Sequence, residues 1–205
     1  MKKILFFSLL MTIGLLVSSC SSCSKKQSNS EEKAPLVVEN LISADREYMY
    51  NTYNENYRWY ETTIVLNDTI DSENCDGSFK EVENLFQYID EEGQPNVVKI
   101  IHTADTTVYE TIKSFVIEDS RLNDEPIKLT YADAWQRLVE SNAVRPHSVY
   151  CVLRKALLPG IEYPQYIFGN EAAQITVDAF TGDVTSYVAP VPDYDPEDED
   201  TEANQ

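Results

Sequence analysis

The segment Ile127–Val188 constrains the chain most, because the ends of a helix and the turn of a hairpin are both written into it. Thr130 is a good N-cap residue, and Asp133 stands three positions on. At that spacing each side chain can satisfy the other residue's free backbone N–H. Tyr131, Ala134, Trp135, Leu138 and Val139 then make one apolar stripe at helical period, with Asp133, Gln136, Arg137 and Glu140 on the wet side. Ser141-Asn142 stops the helix. Arg145-Pro146 cannot resume it, because the residue before a proline is pushed towards extended backbone. Val149–Leu153 reads as a strand with apolar residues on both faces, and Pro159-Gly160 as a loop. Tyr166–Phe168 is a short strand. Ile175, Val177 and Ala179 alternate with Gln174, Thr176 and Asp178, the pattern of a half-buried strand. Thr181-Gly182 supplies a turn, and Val184–Val188 is the returning strand.

Three runs within this segment resemble a known family: Tyr131-Ala132-Asp133-Ala134 at the helix start, Tyr166-Ile167-Phe168, and Ile175 to Val184. The last run, with Val177-Asp178 and Thr181-Gly182-Asp183-Val184, is similar to the V-D-x-x-T-G-x-V hairpin that closes PepSY-like domains. The resemblance implies a helix packed on a small antiparallel sheet. It also implies a non-catalytic module of the kind found in protease propeptides and envelope proteins, where binding or inhibition has been proposed. No catalytic residue comes with it.

The N-terminus has the layout of a targeting segment, residues 1–19. Lys2 and Lys3 form the charged start, Ile4–Val17 the apolar stretch, and Ser18-Ser19 the small residues that close it. The apolar stretch is short for a membrane span. Val17-Ser18-Ser19-Cys20 resembles a bacterial lipobox, which makes Cys20 the lipidated residue after cleavage; an ordinary signal peptide is the alternative. Acyl chains stabilise membrane attachment by about 0.8 kcal/mol per buried methylene, so two or three of them hold a protein there firmly. Cys20 and Cys23 form a C-x-x-C, which a lipidated Cys20 would take out of redox or metal chemistry. Residues 20–35 are almost free of apolar side chains and read as a flexible tether. The chain is similar to Bacteroidetes-type lipoproteins. Surface-bound members carry acids directly after the cysteine, whereas Lys25 and Lys26 precede Glu31 and Glu32 here, which tilts the expectation towards an outer-membrane anchor facing the periplasm.

Residues 36–120 repeat the element order of 121–190: helix, strand, gap, three strands. Ile42, Met49, Tyr50, Tyr53 and Tyr57 share one face of a helix over 41–57. Strands follow at 58–66, 85–89, 97–103 and 108–117, with the polar loop 67–77 and the turn Glu92–Pro95 between them. Ser43-Ala44-Asp45 parallels Tyr131-Ala132-Asp133, and Gln87-Tyr88-Ile89 parallels Gln165-Tyr166-Ile167. The expected fold class is therefore α+β, a helix packed on an antiparallel sheet, with two tandem PepSY-like α-β-β-β units sharing one sheet. Residues 191–205 hold seven acids and no base and read as a disordered acidic tail.

The net charge of −19 makes nucleic acid and anionic lipid poor partners, since phosphate binding needs a basic footprint. The only two histidines, His102 and His147, have no Cys, His or carboxylate at ligand spacing. No nucleophile elbow, Walker or dinucleotide motif occurs. No catalytic residue, metal or cofactor is expected, although a triad assembled only in space stays open. Cys75 and Cys151 are candidates for a disulfide in an oxidising envelope, or for two free thiols. Tyr48, Tyr50, Tyr53, Tyr57, Trp59 and Tyr60 suit either a recognition face or the packing of helix on sheet, and the helical stripe favours packing. Gln174 and Thr176, with Trp59 and Tyr60, are the candidate ligand face. The expected function is a lipid-anchored, non-enzymatic envelope module that binds protein or peptide, with inhibition of a protease as one form of that binding. A glycan- or nutrient-binding lipoprotein is the alternative.

Overall fold

The computed structural model describes residues 36–113 and 119–189. The targeting segment, Cys20, Cys23, the tether and the acidic tail lie outside the described residues, as does the end of the strand expected over 108–117.

The elements in order are α1 (Val38–Tyr53), a 3-10 turn (Asn54–Asn56), β1 (Tyr57–Leu66), β2 (Phe79–Ile89), β3 (Pro95–Thr103), β4 (Thr107–Lys113) and β5 (Asp119–Ser120). Then come α2 (Tyr131–Glu140), β6 (Tyr150–Ala156), β7 (Gln165–Gly169), β8 (Ala173–Asp178) and β9 (Val184–Val188). All neighbouring strands are antiparallel, in the order β4-β3-β2-β1-β6-β7-β8-β9, with β5 pairing the end of β6. The first strand after each helix thus lies at the centre, β1 against β6, and each half runs outward from that seam. The helix-on-sheet expectation holds at this level. Each half carries four strands after its helix, one more than an α-β-β-β unit, and β5 has no forerunner in the sequence pattern.

Both helices cover the same face. One cross-strand row proves it: His102, Val82, Ile64, Cys151, Phe168 and Ile175 sit opposite one another from β3 to β8. Asp45 of α1 reaches His102 at one end of the row, and Trp135 of α2 lies 5.9 Å from the Phe168 ring at the other. Burial of this row and its neighbours Leu66, Phe86, Leu153, Tyr166 and Val177 forms the core. At about 25 cal/mol per Å2 of apolar surface removed from water, it is the main stabilising term.

The capping box forms as its residues dictate, with Asp133 N donating to Thr130 Oγ1 at 3.1 Å and Thr130 N to Asp133 Oδ2 at 3.0 Å. Of the α2 stripe, Tyr131, Ala134 and Leu138 are buried, whereas Val139 is exposed. α1 differs more from its expected limits. It begins at Val38 and buries Val38, Ile42, Asp45 and Met49, so Tyr50 is exposed rather than on the buried stripe. It ends at Tyr53 because Asn54 turns to φ 54° and returns its N–H to Tyr50 O, which frees Tyr57 to begin β1.

Two turns depend on glycine conformation. Gly182 has φ 82°, and its N–H donates to Asp178 O at 2.9 Å, closing the β8–β9 turn at the expected place. Gly77, in the β1–β2 loop, has φ 80° and lies directly under Trp135. A Cβ there would meet three ring atoms at 2.7 Å. Tyr131 Oη also donates to Gly77 O at 2.7 Å, so α2 of the second half is seated on a loop of the first.

Candidate functional site

The face of the sheet away from the helices is covered by neither α1 nor α2. Strand alternation places every second side chain there. Across the middle of this face run Thr63, Val152, Ile167, Thr176 and Thr185, on β1, β6, β7, β8 and β9 in turn. All five are half-buried or exposed, and none is charged. Four inter-strand steps make the strip about 19 Å wide. Beside it stand Tyr150 and Tyr187, each 49% exposed, and the half-buried Gln174 opposite Tyr187. Thr176 Oγ1 donates to Thr185 O at 3.5 Å, a long bond that leaves the hydroxyl available to a better partner.

The charge begins on the β2–β3–β4 side. Lys99 Nζ lies 2.8 Å from Glu83 Oε1, with Glu110 opposite Lys99 on β4. Its hydrogen bond to Glu83 raises the Lys99 pKa against the opposing effect of burial, helped by the nearby Glu110 and Glu61 carboxylates. Arg154 stands opposite Glu61 on β6. The face therefore carries a neutral strip across its middle, bordered on β2–β3–β4 by the Glu83, Lys99 and Glu110 charges and on the neighbouring row by Glu61, Arg154, Gln165 and Asp178.

Gln174 and Thr176, picked from the sequence, lie on this face. Trp59 does not: it is 2% exposed on the helix side, its indole Nε1 donating to Glu61 O and Thr62 Oγ1. The reason is a β-bulge. Trp59 opposes Phe86 and Glu61 opposes Leu85, so Tyr60 is the extra residue and the alternation shifts by one. Tyr60 is half-buried at that bulge. Three other rings of the cluster pack on rings of the sheet: Tyr53 stacks on Tyr88 at 3.9 Å between centroids, Tyr48 meets Tyr109 at 4.8 Å, and Tyr57 meets Phe86 edge-on at 6.0 Å, whereas Tyr50 is exposed. Burial first, then the adjoining Tyr88, pushes the Tyr53 pKa up to about 12.

Of the two alternatives for Cys75 and Cys151, the structure has two free thiols and not a bridge. Cys151 is fully buried on the helix-facing side of β6, and that burial pushes its pKa well up. Cys75 is half-buried in the β1–β2 loop, with Sγ 3.7 Å from Asp68 O.

His102 belongs to a buried polar chain. Its Nε2 lies 2.8 Å from Asp45 Oδ2 and its Nδ1 3.0 Å from Thr107 Oγ1. Asp45 Oδ2 also accepts from Asn84 Nδ2 at 2.7 Å, and Asn84 Oδ1 accepts from Thr62 Oγ1. The chain joins α1 to β1, β2, β3 and β4 and satisfies polar groups that burial would otherwise penalise. A hydroxyl, an imidazole and a carboxylate are thus aligned. Two clefts, of about 320 and 300 Å3, are lined by other side chains. His147 is exposed, with Nδ1 3.0 Å from Asp71 Oδ2. Among the described residues no group of three or more His, Cys, Asp or Glu side chains is placed to hold a metal ion, and no helix is long and apolar enough to cross a membrane.

Sequence reasoning missed Val152, Ile167 and Tyr150. The signal was present in the apolar character of both faces of Val149–Leu153: a strand with one face on a helix layer needs no apolar residues on the other. No family model, curated protein or solved structure matches the chain.

Proposed function

We propose that the chain is a lipid-anchored envelope protein, PepSY-like in both halves, whose sheet face away from the helices recognises a protein or peptide without chemical conversion. The observation that carries this reading is the uncharged strip from Thr63 to Thr185 in a chain of net charge −19. A neutral, partly apolar surface of this width, flanked by two exposed tyrosines, suits a partner segment laid across the strands. The β9 edge beside it offers backbone N–H and C=O groups for a further strand. The resemblance to PepSY-like domains extends the reading to inhibition of a protease. The lipobox at Val17–Cys20 supports anchoring at the outer membrane facing the periplasm.

The test is site-specific photocrosslinking of the full chain in native envelopes. A photoreactive phenylalanine analogue is placed at Thr185 on the strip, or at Val139 on the exposed side of α2. Discrete protein adducts are expected at Thr185 and not at Val139, and they should vanish when Gln174 and Thr176 are both replaced by Arg. Adducts at Thr185 that survive both arginines in a folded protein refute the reading.

A further inference from the structure

A second surface feature stands apart from the neutral strip. The chain has six arginines among 35 acids, and three of the six, Arg46, Arg58 and Arg121, line one cleft of about 320 Å3 where α1 passes into β1. Tyr50, Glu55 and Asp124 complete its polar wall. In so acidic a chain, random placement would surround each arginine with carboxylates. Here the two inner guanidinium groups are held by backbone oxygens instead. Arg46 Nη2 donates to Asn123 O at 3.1 Å, and its guanidinium lies 5.5 Å from the centre of the Trp59 ring. Arg58 Nη1 donates to Tyr57 O at 2.9 Å and Glu55 O at 3.2 Å. Asn123 is fixed in turn, its Oδ1 accepting from Trp59 N at 2.7 Å. Among the described residues neither Arg46 nor Arg58 forms an ion pair, whereas Arg121 pairs with Asp124 at 3.3 Å in an exposed contact.

A guanidinium carries five N–H donors in a plane. The contacts above occupy one on Arg46 and one nitrogen on Arg58, which leaves a pre-positioned, positively charged set of donors. We propose that this cleft binds a ligand through one carboxylate, gripped by Arg46 and Arg58, with the Tyr50 ring against the rest of the ligand. A planar carboxylate matches the fork of a guanidinium in a bidentate pair. The charge count favours a monoanion. Three arginines against Glu55 and Asp124 leave one net positive charge, which one carboxylate neutralises, whereas a phosphate dianion would leave a net negative site in a chain already at −19. The volume, at the small end of ligand sites, fits one sugar or one amino-acid residue. The carboxylate could therefore belong to a uronic acid or to a peptide C-terminus.

The test uses the full chain purified in mild detergent, titrated calorimetrically with glucuronate, with a tetrapeptide bearing a free C-terminus, with the same peptide amidated, and with inorganic phosphate. Saturable binding of glucuronate or of the free-acid peptide, with phosphate and the amidated peptide weaker, is the expected result, and the preferred ligand identifies the source. Arg58→Gln should weaken it by about tenfold or more, and Arg121→Ala, already paired, by about two- to threefold. Because Arg46 packs on Trp59, Arg46→Lys is the milder probe of that position. Its melting point is compared with that of the unaltered chain to separate lost binding from lost fold. Arg137→Ala, on α2, should change nothing. No saturable response to either carboxylate up to about 10 mM overturns the proposal. So does equal affinity for phosphate, or affinity unchanged in folded Arg58→Gln and Arg46→Lys proteins.

Discussion

Replacing Gly77 by Ala tests how the two halves are held together, because two separable penalties meet at that position. Gly93, in the β2–β3 turn, has nearly the same backbone, φ 78° against 80°, but a Cβ there would meet nothing within 4 Å. Gly93→Ala therefore reports the left-handed backbone alone, about 1–2 kcal/mol less the few tenths regained from a stiffer unfolded chain. At Gly77 the new Cβ would sit 2.7 Å from three atoms of the Trp135 ring, where contact normally begins near 3.5–4.0 Å. The ring must move by about 1 Å, or the loop must drop. Overpacking of this kind costs roughly 1–3 kcal/mol. The expected total is about 2–4 kcal/mol, so Gly77→Ala should be less stable than Gly93→Ala by about 1–3 kcal/mol. For a folded unit of this size, each kcal/mol moves the melting midpoint by roughly 2–4 °C. Urea unfolding of the compact unit Pro35–Gln205, followed by circular dichroism, measures both variants. Repeating the pair in a Trp135→Leu background completes the cycle: with the ring gone, the two glycines should cost the same to within about 0.5 kcal/mol. If Gly77→Ala matches Gly93→Ala while Trp135 is present, α2 is not seated on the β1–β2 loop as described.

Three further outcomes are expected. Asp45→Ala leaves the His102 imidazole and the Asn84 amide without their shared acceptor in a buried site, so unfolding in urea should show a loss of about 3 kcal/mol or more; a loss below about 1 kcal/mol would mean that water replaces the carboxylate. Titration of the unit Pro35–Gln205 with a thiol reagent should find Cys75 reactive in the native state and Cys151 reactive only after unfolding. Two slow thiols, or none after unfolding, would contradict the free, unequal pair. The hydroxyl and then the backbone N–H of Thr130 hold the Asp133 pKa below the ordinary carboxylate value. The stability of the capping box is therefore complete above that value and lost as the pH falls through the depressed one. Asp133→Asn should accordingly flatten the acid limb of a melting-point-against-pH curve, and an unchanged limb would place the titration elsewhere.

The elements read best in the sequence were those whose causes lie within a few residues. The capping box of α2, the Thr181-Gly182 turn and the alternation on β8 each formed where expected, because a cap, a positive φ and a strand period are local properties. Even the repeated Gln-Tyr-Ile was informative: Tyr88 and Tyr166 occupy the same place in their halves, on the second strand after the helix and on its covered face. The companion match was not, since Asp45 is buried mid-helix while Asp133 caps a first turn.

What the sequence alone determined is therefore the alphabet of elements: two amphipathic helices and strands on either side of marked turns. Tertiary structure alone decided which faces meet what. One extra residue at Tyr60 carried Trp59 from the ligand face into the core. The pairing of β1 with β6 set Thr63 beside Val152 to start the neutral strip, and Asp45 met His102 across 57 residues. The physical reason is that a strand's own pattern fixes its period, whereas its register is fixed by partners far along the chain. A shift of one residue exchanges the two faces.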